Sequence, residues 1–137
     1  MLGHDTASAA NNRQTALRLI AEAETALLTP NVVLHDLAQD KTVSGRTAVT
    51  TFIRAFFQHA FTDKRIGINT LLADEETVML SLVVSACQIA PFWGLPNTGR
   101  RLNLSLAMIC RFQADHIARI ELYYDAGTLL RQLGLAL

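Results

Sequence analysis

"RLNLSLAMICRF", residues 101–112, is the stretch that decides the fold. Leu102, Leu104, Leu106, Met108, Cys110 and Phe112 fall on one side of an extended chain, and Arg101, Asn103, Ser105, Ala107, Ile109 and Arg111 on the other. A period of two held over this length predicts a strand with one buried face. Upstream, beyond a "GLPNTG" connection (Gly94–Gly99), Val78, Leu80, Leu82, Val84 and Ala86 repeat the pattern. Before the "ADEE" turn (Ala73–Glu76), Ile66, Ile68, Thr70 and Leu72 share one face of another strand. Downstream of "QADH" (Gln113–His116), a last strand from Ile117 to Tyr124 sets Ala118, Ile120, Leu122 and Tyr124 on one face. Together these runs predict an antiparallel meander.

The first half of the chain has a different period. Leu17, Ile20, Ala21, Glu24 and Leu27/Leu28 follow helical spacing and predict a helix over Asn11–Leu28, with Asn11 or Asn12 as cap and Pro30 as stop. "NVVLHDL" (Asn31–Leu37) reads as a short strand and "QDKTVSG" as a loop. After Ser44-Gly45, the residues Val49, Phe52, Ile53, Phe56, Phe57 and Ala60 make one bulky apolar helical stripe. Helices followed by a meander predict an α+β domain, its helices covering one face of a curved sheet.

At 137 residues the chain fits a single domain, 1–137, large enough for a real core. Lys and Arg number 12, as do Asp and Glu, and the basic residues are scattered, so the basic patch of a nucleic-acid binder is missing. Cys87 and Cys110 each lie in an apolar strand, which fits buried thiols better than a disulfide framework. "MLGHDTASAANNRQ" lacks the basic flank and apolar run of a signal peptide. The apolar stretch from Val78 to Leu95 is interrupted by Ser81, Ser85, Gln88 and Pro91 and is marginal in length for a membrane span. These features predict a soluble, cytoplasmic protein that meets neither nucleic acid nor membrane.

Four segments, "LLTPNVVLHD", "SGRTAVTTFIRAFFQHAF", "PFWGLPNTGRRLNL" and "ELYYDAGTLLRQLG", resemble the SnoaL-like polyketide cyclases of the nuclear transport factor two-like superfamily. The resemblance runs from about Leu27 to Leu135. It implies a cone, a strongly bent and mostly antiparallel sheet wrapped around the N-terminal helices as in a cystatin-like α+β barrel, with an apolar pocket open at one end. It also implies homodimers paired through the outer face of the sheet. The cyclases that SnoaL typifies use an Asp on the final strand and a His on the preceding one. Aligned on "LLRQLG", those positions fall on Leu122 and Met108, and neither side chain can exchange a proton. Relatives carry two helices before the first strand, separated by a Gly-Asp break that this chain lacks, so the mouth of the cone is expected to be more open or differently capped.

Asp125 precedes Leu129, Leu130 and Leu133, with Gly134 as a stop; the pattern of a helix cap outweighs that of a proton-transfer carboxylate. His35-Asp36 is the remaining acid/base candidate. Adjacent strand residues face opposite ways, so only one of the two can point inward. An inward His35 suits general-base work; the structural alternative, which the lack of an evident partner favours, is a hydrogen-bonded histidine with Asp36 opening the next turn. Phe52, Phe56, Phe57, Phe61, Phe92, Trp93 and Tyr124 are core or pocket wall, and Trp93 and Tyr124 carry polar ends that need partners. Gln88, beside them, either orients a ligand or bonds to backbone. With Leu106, Met108 and Leu122, the residues Phe56, Gln88, Trp93 and Tyr124 form the expected pocket lining. Arg100-Arg101 reads as a solvated strand edge, and Glu121 faces away from Leu122. His4, His35, His59 and His116 show no ligand spacing, so no metal is expected and no cofactor is implied. "GLPNTGR" is a turn without the order of a phosphate loop.

Three functions remain open. The leading one is a binding protein for an apolar, cyclic or aromatic small molecule, without the family's Asp/His chemistry. The second is a cofactor-independent isomerase, hydratase or cyclase in which His35 is the base and Tyr124 or Trp93 the donor. The third is a non-catalytic module that dimerises or meets a partner through a sheet face of Asn103, Ser105, Ala107, Ile109, Ile117 and Tyr123.

Overall fold

The computed structural model describes residues 6–135. Helix α1 spans Ala7–Glu22, strand β1 Leu28–Asp36, β2 Lys41–Ser44, α2 Arg46–Arg54, β3 Phe61–Ala73, β4 Thr77–Gln88, β5 Arg101–Gln113, β6 His116–Tyr124 and α3 Ala126–Gln132. The six strands form one curved sheet in the order β2-β1-β6-β5-β4-β3. From β3 to β6 it is the expected antiparallel meander, but β1 joins β6 in parallel, so the sheet is mixed. It does not close into a barrel, because β2 and β3 are free edges.

The alternation of 101–112 is realised on β5. Leu102, Leu104, Leu106, Met108 and Cys110 are buried beneath the helices, while Arg101, Asn103, Ser105 and Arg111 are exposed. Burial of this kind stabilises by about 25 cal/mol per Å² of apolar surface and fixes the register, since a one-residue slip would expose the whole row. Two irregularities break the predicted faces elsewhere. The β3–β4 register shifts between Ile68 and Thr70, so Ile66, Leu71 and Ala73 pack on the core while Leu72 is 62% exposed. A second shift, between Arg111 and Phe112, turns Ile117 inward beside Ile120 and Leu122 and removes it from the expected outer face. An extra residue on one strand reverses which side chains face the core.

The N-terminal helix starts and stops earlier than its spacing predicts. Thr6 caps it, with its Oγ1 accepting from the Ala9 N–H at 3.0 Å, and Ala23 in the left-handed region ends it. Pro30 therefore lies in β1, where pairing with β6 is interrupted between Leu28 and Val33 and no N–H is required of it. Asn12, expected as a cap, is buried and donates to the carbonyls of Asp74 and Glu75, fastening α1 to the β3–β4 turn. The segment expected as a loop contains β2, which pairs with the end of β1. Helix α2 runs into a π-turn over Ala55–His59, and this widening brings both Phe56 and Phe57 into the core. Among the described residues no helix is long and apolar enough to cross a membrane.

Candidate functional site

The wide end of the sheet is closed by the connection between β4 and β5. At its tip, Trp93 (φ 50°) and Gly94 (φ 79°) make a two-residue turn, with Phe92 and Leu95 exchanging backbone hydrogen bonds on either side. Positive φ at both central residues favours Asn or Gly, so a tryptophan there is held by its surroundings. Its ring stacks on Phe52 (4.8 Å, 9°), Phe56 (4.5 Å, 15°) and Tyr124 (5.5 Å, 29°). The indole N–H donates to the Phe52 carbonyl at 2.9 Å, and Lys41 Nζ donates to the Trp93 carbonyl at 3.1 Å. A β-carbon on Gly94 would come within 2.9 Å of that Lys41 Nζ, so a side chain there would oblige the lysine tip to shift.

Gln88 anchors the base of this connection. Its Nε2 donates to the carbonyls of Ala90 and Pro96, and its Oε1 accepts from the N–H and hydroxyl of Thr98. The sequence left open whether this amide orients a ligand or bonds to the chain; here all its bonds fall within residues 90–98.

Beneath Trp93 lies the buried polar group of this end. Asp36, last residue of β1, is 0% exposed. Its Oδ1 accepts from the N–H groups of Ala38 and Gln39, both at 3.1 Å, which is how a carboxylate opens a turn. Its Oδ2 accepts from the Tyr124 hydroxyl at 2.7 Å, and that hydroxyl accepts from Gln39 Nε2 at 2.8 Å. Burial, and then the bond to Asp36, raise the Tyr124 pKa well above the ordinary phenol range. Across the parallel ladder Asp36 is in register with Leu122, which is opposite Met108 on β5; Tyr124 is opposite Leu106. Asp36, Leu122, Met108, Leu106 and Tyr124 therefore share the inner face of three adjacent strands.

Of the expected acid/base pair, Asp36 is the inward member. His35 is in register with Glu121 on the opposite face, and its Nε2 lies 3.4 Å from Oδ1 of the exposed Asp40. Glu121 accepts from Arg111 Nε at 2.9 Å, away from Leu122 as expected. Asp125 caps α3 through the Thr128 N–H (3.1 Å), and that bond holds its pKa below the usual carboxylate range. Arg101 bonds to Asp63, Cys87 and Ser85 on the exposed face of the sheet.

The expected pocket-lining residues are thus gathered at one end, but as packed core rather than an open wall. Phe56, Leu106, Met108 and Leu122 are buried, and Trp93 is 6% exposed. Gln39 and Lys41 join the site without having been singled out in the sequence; a residue three beyond a strand-ending Asp is the signal that could have found Gln39. Two of the openings outside this core border residues already named. One, of about 560 Å³, borders the outer side of the Trp93 turn against Ala55 and Pro91–Pro96. The other, a groove of about 370 Å³ on the outer sheet face, is lined by Thr70, Leu72, Met79, Ser81, Ile109 and Tyr123. Among the described residues no group of three or more His, Cys, Asp or Glu could hold a metal ion, and His4 lies outside them.

The sequence profile of the SnoaL-like polyketide cyclases matches residues 8–133. No curated protein matches the chain. Among solved structures, a protein from Jannaschia sp. CCS1 described by its likeness to SnoaL-like polyketide cyclases superposes with a TM-score of 0.82 at 16% identity, covering 98% of this chain and 100% of that one. A protein of ketosteroid isomerase-like fold from Catenulispora acidiphila, in complex with trimethylamine, gives 0.68 at 17% identity, over 90% and 94%. A de novo designed protein with a curved β-sheet gives 0.65 at 17% identity, over 91% and 95%. Likeness at these identities concerns the fold alone, and a designed sheet among the matches illustrates that the fold carries no particular chemistry.

Proposed function

The chain belongs to the SnoaL-like polyketide cyclase family, and from that premise we propose that it binds an apolar, cyclic small molecule at the wide end of the sheet, with Asp36 and Tyr124 as the polar anchor. The observation that carries this reading is the 2.7 Å bond between a fully buried carboxylate and a phenol, set among Leu106, Met108, Leu122 and stacked aromatic rings. Apolar walls with a few convergent polar groups are the usual composition of a small-molecule site. The family's acid/base pair is absent on this reading, because the aligned positions carry Leu122 and Met108. A direct test compares 2-naphthol with naphthalene by calorimetry. The hydroxyl should improve affinity about five-fold, the equivalent of one net hydrogen bond of about 1 kcal/mol, and Tyr124→Phe should reduce that gain. Equal affinity for the two probes would refute the anchor.

A cofactor-independent proton transfer is the second reading. Asp36, rather than His35, is its base and Tyr124 its donor, supported by their bond and by the outward position of His35. Turnover of any substrate found should then fall in Asp36→Asn and persist in His35→Ala.

The outer sheet face supports a homodimer. Leu72 is 62% and Met79 47% exposed there, beside Ile109 and Tyr123, an apolar surface of the kind that marks protein contacts. Light scattering should give twice the monomer mass, reverting to the monomer in Met79→Asp.

A further inference from the structure

The indole of Trp93 occupies the place that the ligand of the preceding section would need. It alone links Tyr124 to Phe52 and Phe56, it is nearly parallel to all three rings, and its N–H is matched by the Phe52 carbonyl. The backbone that presents it is in the left-handed region, where a bulky side chain is disfavoured and persists only because contacts hold it. Besides the ring stack and the indole N–H bond, two polar side chains hold the connection from outside the stack. Lys41 reaches from β2 to the Trp93 carbonyl, and Gln88 fixes the base of the connection from within it. The outer side of the turn, bordered by Ala55 and Pro91–Pro96, is a shallow depression open to solvent, so no packed side chain blocks the outward path of the indole there.

We propose that Trp93 is a built-in plug, and that a flat aromatic molecule with a hydroxyl at one edge displaces it from the ring stack and places that hydroxyl at Tyr124 and Asp36. This rests on the reading that the wide end of the sheet is the ligand site. The ligand class follows from the stack: near-parallel aromatic faces favour a planar ring system, and a saturated bicycle of the same outline cannot stack. Lys41 acts as the latch, since its bond to the Trp93 carbonyl holds only while the turn is closed.

Trp93 is the only tryptophan, so the full chain labelled with 5-fluorotryptophan has a single fluorine resonance. Addition of 2-naphthol should move that resonance toward its position in the urea-unfolded chain, and decahydro-2-naphthol should leave it unchanged. Lys41→Ala should tighten 2-naphthol binding about five-fold, because the closed state loses one hydrogen bond that the open state never had. Trp93→Ala, with the slot vacated, should bind 2-naphthol more tightly than the parent chain. If calorimetry detects 2-naphthol binding while the fluorine resonance stays fixed, the plug is overturned and the ligand site survives. Equal binding of the saturated probe overturns the ligand class. If neither the parent chain nor a folded Trp93→Ala variant binds 2-naphthol, the ligand site falls, and the plug with it.

Discussion

Whether Asp36 and Tyr124 act as a unit can be measured by a double-mutant cycle. The Tyr124 hydroxyl donates to Asp36 at 2.7 Å and accepts from Gln39 at 2.8 Å. A hydrogen bond to a carboxylate contributes about 1.5–3 kcal/mol net, and the Gln39 amide is only partly buried and can be resolvated, so Tyr124→Phe should destabilise by about 2–3 kcal/mol. Asp36→Ala strands the phenol and also the N–H groups of Ala38 and Gln39 at a buried strand end. With three donors losing their acceptor it should cost about 3–5 kcal/mol, near the upper end for single substitutions. If the two side chains meet as described, the double variant should be more stable than the sum of the singles predicts, by about 1.5–3 kcal/mol. Urea unfolding followed by circular dichroism measures all four proteins; the slope with denaturant should stay constant across them. A coupling below about 0.5 kcal/mol would mean additive, independent sites. Asp36 would then serve only its own turn, and the polar anchor proposed for the ligand would be wrong.

Two pH predictions concern the Tyr124 phenol and, separately, the Asp125 helix cap. The Tyr124 pKa is raised in the folded chain, so its stabilisation is fully present below the unfolded phenol value of about 10 and is lost as pH rises beyond it. The stability difference between the parent chain and Tyr124→Phe should accordingly be flat to about pH 9 and shrink above about pH 10; a growing difference would contradict the burial. The Asp125 pKa is lowered, so its contribution is present above the unfolded carboxyl value of about 4 and is lost as pH falls through the folded one. Asp125→Asn should follow a shallower acid-unfolding profile than the parent chain, and superimposable profiles would reject the cap.

The fold was legible where burial repeats over many residues. The alternation along β5 and the apolar stripe on α2 each state their period several times, so no single residue decides them. What the sequence concealed depends on one residue. The extra residue between Ile68 and Thr70 reverses the faces of β3, and the shift between Arg111 and Phe112 turns Ile117 inward. Gly67 stands beside the first without fixing its place, and the second has no glycine or proline to announce it. Pro30, read as a helix stop, instead lies in a gap in strand pairing that only the register reveals. The site divides the same way. The composition of the aromatic end was legible from Phe52, Phe56, Trp93 and Tyr124, but the placement of Trp93 inside the stack follows from a backbone conformation imposed by the tertiary structure. Between His35 and Asp36 the inward residue depended on a parity that a short strand cannot fix by itself.

That parity bears on the chemistry proposed for this end of the sheet. Leu122 stands where the related cyclases are expected to carry their carboxylate, and Asp36 is its register partner on the adjacent parallel strand. A carboxylate is therefore present on the same inner face, displaced by one strand spacing, about 4.8 Å. Its oxygens are engaged by two backbone N–H groups and a phenol, so a ligand hydroxyl must share Oδ2 with Tyr124 or replace it. The ring of that same tyrosine stacks on Trp93. On the proposed reading, withdrawal of the indole removes the stacking partner that holds Tyr124 while leaving the turn bonds of Asp36 intact. Opening the slot and freeing the carboxylate would then be one event, and the side chain that couples them is Tyr124.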